Sequence, residues 1–417
     1  MSIWNPILQA EEAHQARELI ESIAADLVYP RTSPWRWASE LEFPESFAYG
    51  DAGISVFFCY LAQAFGCARY AELSSLFLES AFTSIGRKSG CRNFPAGSSG
   101  VGWAAEHVRR HLPLLPPHDF ALRLQTLDED LSEWCRKSNM SASFADGLAG
   151  LCLYGAERIP ADSARSLLSI AVNRIEQASE QMQIGVAWPV SAPAQDEIRR
   201  VLPSLDFRTS RHSTSLAFGS AGTLGALLAC SSSGMPNSRI PDLVNRGISW
   251  VLSSRLDSDL PQLFPTVVGV ELLGRPGEWY LGDLGVSIVL LGAAARFMRA
   301  DWHVIAVESA RLVAPPKGDR SIDLGLSDGL AGKAHLCNRF YHATGDEYFA
   351  DLARKYYSQL IRTFCATDLH TPGAAVATRS CQGLFWGTSG VGLSLLAAIS
   401  SLEPSWDRAL FASFRHP

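Results

Sequence analysis

Several signals are missing from this chain, and each absence removes a class of protein. No apolar run is long enough to span a bilayer; the longest apolar-rich stretch, around "LGVSIVLLGAAARFM", is too short and too broken. The start, "MSIWNPILQAEEAHQARELIESIAADL", carries acids early and has no apolar core, so it reads as an amphipathic helix and not as a signal peptide. A cytoplasmic chain with no membrane span is expected. Basic residues do not cluster and the formal net charge is −6, so the footprint that nucleic-acid binding needs is lacking. The nine cysteines are odd in number and none forms a C-x-x-C pair. Buried reduced thiols are expected, not disulfides or a zinc knuckle.

What is present is a composition with 47% apolar and 19% charged residues, enough for a large core, and an internal repeat. Seven times a Gly-x-x-Gly opens an apolar run, with glycine pairs at Gly50/Gly53, Gly97/Gly100, Gly147/Gly150, Gly219/Gly222, Gly282/Gly285, Gly329/Gly332 and Gly387/Gly390. Successive first glycines lie between 47 residues (Gly50 to Gly97) and 72 residues (Gly147 to Gly219) apart, room for two helices and a connection. Segments such as "ADSARSLLSIAVNRIEQASEQM" and "DEYFADLARKYYSQLIRTF" lie between the loops. Their apolar residues recur at three- and four-residue spacing with a polar opposite face, as in outer helices. The post-glycine helices are apolar nearly all round, as in an inner layer. The expectation is all-α: an α/α toroid of seven inner and seven outer helices, with short irregular or β insertions. Residues 1–417 are expected to form one such domain, with a helical lead-in over 1–42. Two longer connections, Gly185–Ser215 and Leu260–Trp279, are expected to form short strands or ordered loops near the cavity rim. Glycine allows positive φ and close backbone approach, so all seven loops are expected to converge on one face around a shared cavity.

The seven G-x-x-G-led helices, the "GLAG" loops and the W-x-x-G of Trp279–Gly282 resemble the lanthionine synthetase C-like proteins over nearly the whole chain after about Phe43. The resemblance implies an α/α toroid that acts on a ribosomally made precursor peptide. It also implies a zinc ion that activates a substrate thiol for thioether formation. That family's zinc is held by a cysteine in a W-C-Y-G loop and a Cys-His pair in a C-H-G-L-A-G loop, and a histidine before the fourth-repeat glycine is thought to transfer a proton. Here the first loop is "WYLG", with Tyr280 in the place of the cysteine; the second is "SDG", with Ser327 and Asp328 in the place of Cys-His; and Phe218 stands where the histidine would be. One ordinary donor remains, against the three or four that zinc needs, so no metal and no cofactor is expected. His107 and His111 are one helical turn apart but lack the intervening Glu of H-E-x-x-H, and Arg109 and Arg110 would repel a cation. They are expected on a solvated outer-helix face, as is the charge run "DEDLSE" from Asp128. His335 and His342 are expected to be packed histidines.

The converging loops then offer Asp51, Asp146, Asp283 and Asp328, the hydroxyls of Tyr49, Tyr280 and Ser327, the apolar walls Phe218 and Trp386, and His212 just upstream. An aspartate beside a helix start is ordinarily a cap. Asp328 and Asp283 are the exceptions, because they lie at or beside the position of the family's metal. An aspartate in an apolar cavity is expected to have a raised pKa and to serve as acid or base near neutrality. The catalytic candidates are Asp328, Tyr280, Asp283 and His212; the substrate-binding candidates are Ser327, Phe218, Asp146, Tyr49, Asp51 and Trp386. Family members without zinc ligands occur in linaridin-type pathways, whose peptides contain dehydroamino acids and D-residues. That resemblance points to cofactor-independent Cα proton transfer, the epimerisation of L- to D-residues in a precursor peptide. A non-catalytic precursor scaffold, a subunit completing a complex with a partner protein of the same pathway, and metal-free dehydration or thioether cyclisation stand as alternatives. A carbohydrate-active or terpenoid enzyme is a weaker reading, because the acids nominate no pair flanking a bond.

Overall fold

The computed structural model describes residues 4–29, 42–85, 90–112, 117–201, 206–207, 211–235, 237–256, 260–270, 277–315, 323–366 and 381–413. Helix α1 (Ala10–Val28) comes first. Helix pairs follow: α2 (Asp51–Phe65) with α3 (Ala68–Ile85), α4 (Ser98–His111) then α5 (Pro117–Lys137), and α6 (Leu148–Arg158) with α7 (Asp162–Gln177). After strands β1 (Glu180–Gln181) and β2 (Val186–Ala187) come α8 (Ala192–Val201), then α9 (Ser220–Ser232) with α10 (Ile240–Ser253). The chain continues with α11 (Asp283–Phe297) and α12 (Ala300–Arg311), α13 (Leu330–Thr344) and α14 (Glu347–Ala366), α15 (Thr388–Ile399) and a 3₁₀ turn at Ser405–Leu410. Among the described residues no helix is long and apolar enough to cross a membrane. All nine cysteines are free, and burial pushes the thiols of Cys59 and Cys337 up to about 12.

The chain forms two compact units: Met1–Pro117 with Ala314–Trp406, and His118–Val313 with Asp407–Pro417. In the first unit α2, α4, α13 and α15 are the apolar helices. In α2, Ala52 through Ala62 are buried without a break. Helices α3 and α14 bury one stripe only; in α14 it comprises Phe349, Leu352, Ala353, Tyr356, Tyr357, Leu360 and Phe364. The seventh glycine-led helix, α15, has no following helix of that kind. Its outer partner comes from the other end of the chain. Helix α1 buries Ala16, Leu19, Ile20, Ile23, Ala24 and Leu27 and packs on α15. Trp4 anchors it, with its indole N–H donating to the Ala397 carbonyl (2.8 Å) and its ring stacked on His342 at 4.0 Å. The lead-in is thus an outer helix. His335, fully buried, packs against Trp406, so both this residue and His342 are packing residues as expected.

The pair His107 and His111 corrects the sequence reading. They lie on the apolar helix α4, and His107 is fully buried, stacked on Trp103 at 4.5 Å and on His111 at 4.3 Å, with Nε2 3.0 Å from the Tyr60 hydroxyl. Arg109 and Arg110 do not face a metal site but hold the buried Glu106 carboxylate. Alternating polar letters concealed an inner helix because its polar groups satisfy one another.

In the second unit α6, α9 and α11 are the apolar layer, and α7, α10 and α12 pack on them in turn. Asp128 also corrects the reading: it is fully buried on α5. It accepts from Tyr154 (2.5 Å), Ser163 (2.6 Å) and Arg158 (2.9 Å). The second unit ends on the C-terminal segment. Trp279 donates to the Leu410 carbonyl (2.8 Å), Phe411 packs edge-on to Phe144, and Arg408 pairs with the buried Glu157 (2.8 Å).

Candidate functional site

Every glycine loop is built the same way, and the register decides which side chains are available. Three residues before the first glycine stands a large apolar residue: Phe47, Phe94, Phe144, Leu216, Trp279, Leu326 or Leu384, each fully buried or nearly so. The carbonyl of this residue lies where a second-glycine side chain would be. At Gly53, Gly100, Gly222, Gly285, Gly332 and Gly390 a Cβ would overlap that oxygen. The first glycines have φ between −144° at Gly50 and −97° at Gly329, extended and not left-handed. Close approach, not positive φ, is what the loops require of glycine. The N–H after the first glycine reaches back to a carbonyl seven residues earlier, as in Asp51 to Pro44 (2.8 Å) and Leu330 to Asp323 (2.9 Å), which satisfies a free helix-terminal amide.

The residue two before the first glycine links neighbouring loops through its backbone. In the first unit Ser327 N–H donates to Phe385, Phe385 to Ala48, and Ala48 to Pro95, at 2.9, 3.1 and 2.9 Å; Pro95 has no N–H to pass the series on. In the second unit Ala145 donates to Ala217 and Ala217 to Tyr280, both at 2.9 Å. These bonds set the residues immediately before each glycine side by side. Tyr49, Ala96, Asp146, Leu281, Asp328 and Trp386 are half-buried in otherwise buried loops, and Phe218 is buried.

In the first unit three of them form a cluster. The rings of Tyr49 and Trp386 stack at 4.9 Å and 11°, and the Trp386 indole N–H donates to Asp328 Oδ2 at 3.2 Å. Ser327 beside them is 1% exposed, and its Oγ has no hydrogen-bond partner among the described residues. A buried hydroxyl left so costs about 1–3 kcal/mol.

In the second unit Phe218 meets Tyr280 edge-on at 5.7 Å. Helix α8 covers them: Ala194 and Ile198 pack with Val190, Phe207, Ala217 and Val267 against Phe218, Tyr280 and Leu281. Ser191 begins α8, accepting the Ala194 N–H (3.2 Å), and its hydroxyl donates to Asp146 Oδ2 (2.5 Å). Asp146 also accepts from Ser141 (2.8 Å) and Ser143. The first longer connection therefore carries a helix as well as the short strand β2, which pairs with β1 just upstream of it; the bridge Pro189–His212 lies within it, and the bridge Ser213–Val267 joins it to the second. Ser191 was absent from the candidates, although a serine followed by Pro193 at the second helical position is a helix-start signal.

The other candidates stand elsewhere. Asp51 and Asp283 follow the first glycine instead of preceding it. Ser80 of α3 donates to Asp51 (2.6 Å), whose pKa burial raises. Asp283 is fully buried and accepts the Leu263 and Phe264 amides at 2.5 and 3.2 Å; burial pushes it up to about 7, against the pull of those bonds and of Ser309. His212 Nε2 lies 2.9 Å from Glu180, which also pairs with Arg211 (3.0 Å). Among the described residues no three His, Cys, Asp or Glu side chains converge as metal ligands.

Helix pairs entered through such double-glycine loops define an α/α toroid protein, all-α apart from a short hairpin. The chain belongs to the lanthionine synthetase C-like protein family, which matches residues 43–411. The solved structure of nisin cyclase is similar in fold, with a TM-score of 0.72 at 14% identity over 95% of this chain and 97% of that one. A sugar epimerase from a ruminal bacterium is similar at a TM-score of 0.46 and 13% identity, over 93% and 98% of the two chains. No curated protein matches the sequence.

Proposed function

We propose that this family member modifies a ribosomally made peptide by proton transfer at Cα, without zinc, with Asp328 as the proton carrier. Family membership supports a peptide substrate, and the nisin cyclase likeness supports the fold that would hold one. The observation that carries the chemistry is the Asp328–Trp386–Tyr49 cluster: a half-buried carboxylate in the register that presents side chains, oriented by an indole N–H. The residues at the family's zinc positions do not fit the ion. Tyr280 offers a phenol and Ser327 a hydroxyl, so Asp328 is the one ordinary donor, and one of its oxygens already takes a hydrogen bond.

In this reading Asp328 takes the Cα proton and the electron pair passes into the adjacent amide as an enolate. A phenol returns a proton to the opposite face; solvent then reprotonates the phenolate and takes the proton from Asp328. Tyr49, in the same cluster, is the phenol available. Asp283 and His212 are set aside, since backbone amides and Glu180 occupy them. The stacked rings of Tyr49 and Trp386 form the apolar wall beside the carboxylate.

The test is mass spectrometry of precursor peptide incubated in D2O with the protein. Deuterium is expected at Cα in an L-to-D residue, lost by at least 100-fold in Asp328→Asn, with Tyr49→Phe testing the returning phenol. Unlabelled peptide that still binds would replace this reading with a precursor scaffold.

A further inference from the structure

An open cavity of about 360 Å³ lies in the first unit, apart from the glycine loops. Its lining is Pro315, Arg354, Lys355, Ser358, Gln359 and Arg362, so every charged residue in it is a cation, in a chain whose net charge is −6. The wall is fixed in place: the Tyr356 hydroxyl donates to the Ala314 carbonyl, pinning the segment that carries Pro315 to α14. Nearby charges are partly spent. Arg354 pairs with Asp351 at 3.0 Å and donates to the Ile7 carbonyl at 3.3 Å, and Glu12 of α1 accepts from Ser358. Lys355 and Arg362 are exposed, and they stand seven residues apart on one face of α14. Two helical turns separate them by about 10.5 Å. Side chains three residues apart along a polyproline II peptide share one face and are separated by about 9 Å. Ser358 and Gln359 lie between the two cations; Gln359 donates to Thr363 (2.9 Å) and accepts from Arg362 (3.2 Å), which holds that side chain in place.

We propose that this cavity binds an acidic segment of the peptide on which the protein acts, laid along α14 in polyproline II conformation with two carboxylates against Lys355 and Arg362. The proposal rests on the peptide reading above, and it adds a recognition site distant in sequence from Asp328. Charge-pair recognition of this kind gives specificity and speeds encounter, and salt weakens it.

The test is fluorescence anisotropy on the full chain with a short labelled peptide carrying aspartates three residues apart. Its asparagine counterpart and inorganic phosphate serve as controls. The aspartate peptide is expected to bind at least tenfold more tightly than the asparagine one, and less tightly as salt rises. The double change Lys355→Glu with Arg362→Glu, on exposed positions where helix propensity hardly differs, is expected to weaken binding at least tenfold; circular dichroism checks that the helix content is kept. Equal binding of both peptides, unchanged binding by the double variant, or displacement by an equal concentration of phosphate overturns the proposal. Binding that persists in Asp328→Asn supports it. Probe binding without Cα exchange defeats the proton-transfer reading alone; exchange without probe binding defeats this one alone.

Discussion

Asp51 and Asp328 both flank a loop glycine, one after it and one before it. The residue after the glycine is the first of its helix: Asp283 is fully buried on two backbone amides, and the half-buried Asp51 meets Ser80 of the next helix. The residue before it is half-buried, and Asp328 meets the Trp386 indole N–H. This offset has a measurable consequence at Asp283. Its pKa rises on folding from the usual 3.8 to about 7 because burial outweighs the two amide bonds. A raised folded pKa means the native state binds the proton more tightly. Its contribution to stability is therefore fully present below about pH 4 and lost as pH rises to about 7. Three units correspond to roughly 4 kcal/mol. Urea midpoints should fall between pH 5 and pH 8 in the native chain, and Asp283→Asn should flatten that fall.

At the scale of the element, the double glycine is a packing device. Gly332 lies in the first turn of α13, where alanine would normally gain about 1 kcal/mol in helix propensity. A Cβ there overlaps the Leu326 carbonyl, which is backbone and cannot swing aside. Overpacking costs about 1–3 kcal/mol or more, so overlap wins over propensity. Gly332→Ala should lower the chemical-denaturation midpoint, with a net loss of about 2 kcal/mol, and should shift the loop that carries Asp328. The glycine pattern was legible because a turn this crowded admits one residue type. The pairing of α15 with α1 was not legible, since the two segments lie at opposite ends of the chain and only packing joins them. Helix α8 was also missed as a helix, though its Ser-x-Pro start was on the page.

For the whole molecule, the sharpest expectation concerns zinc. Purified protein should contain well under 0.1 equivalent of zinc by plasma mass spectrometry, about a tenth of what one site would hold. Peptide modification should survive a chelator. A stoichiometric metal, or activity lost to chelation and regained with zinc, would overturn the reading of Tyr280, Ser327 and Asp328.

Sequence alone determined the all-α class, the seven loops and the family, because repeated glycines and helical periodicity are local and need no partner to be read. It also showed that thiolate and imidazole are missing from the positions where the family holds its metal. Tertiary structure alone decided that Asp283 is buried on backbone amides, that Trp386 orients Asp328, and that Asp128 and His107 are buried. A side chain's exposure depends on residues far away in the chain. The same letter, aspartate beside glycine, is a wall bracket or an available carboxylate according to what packs against it.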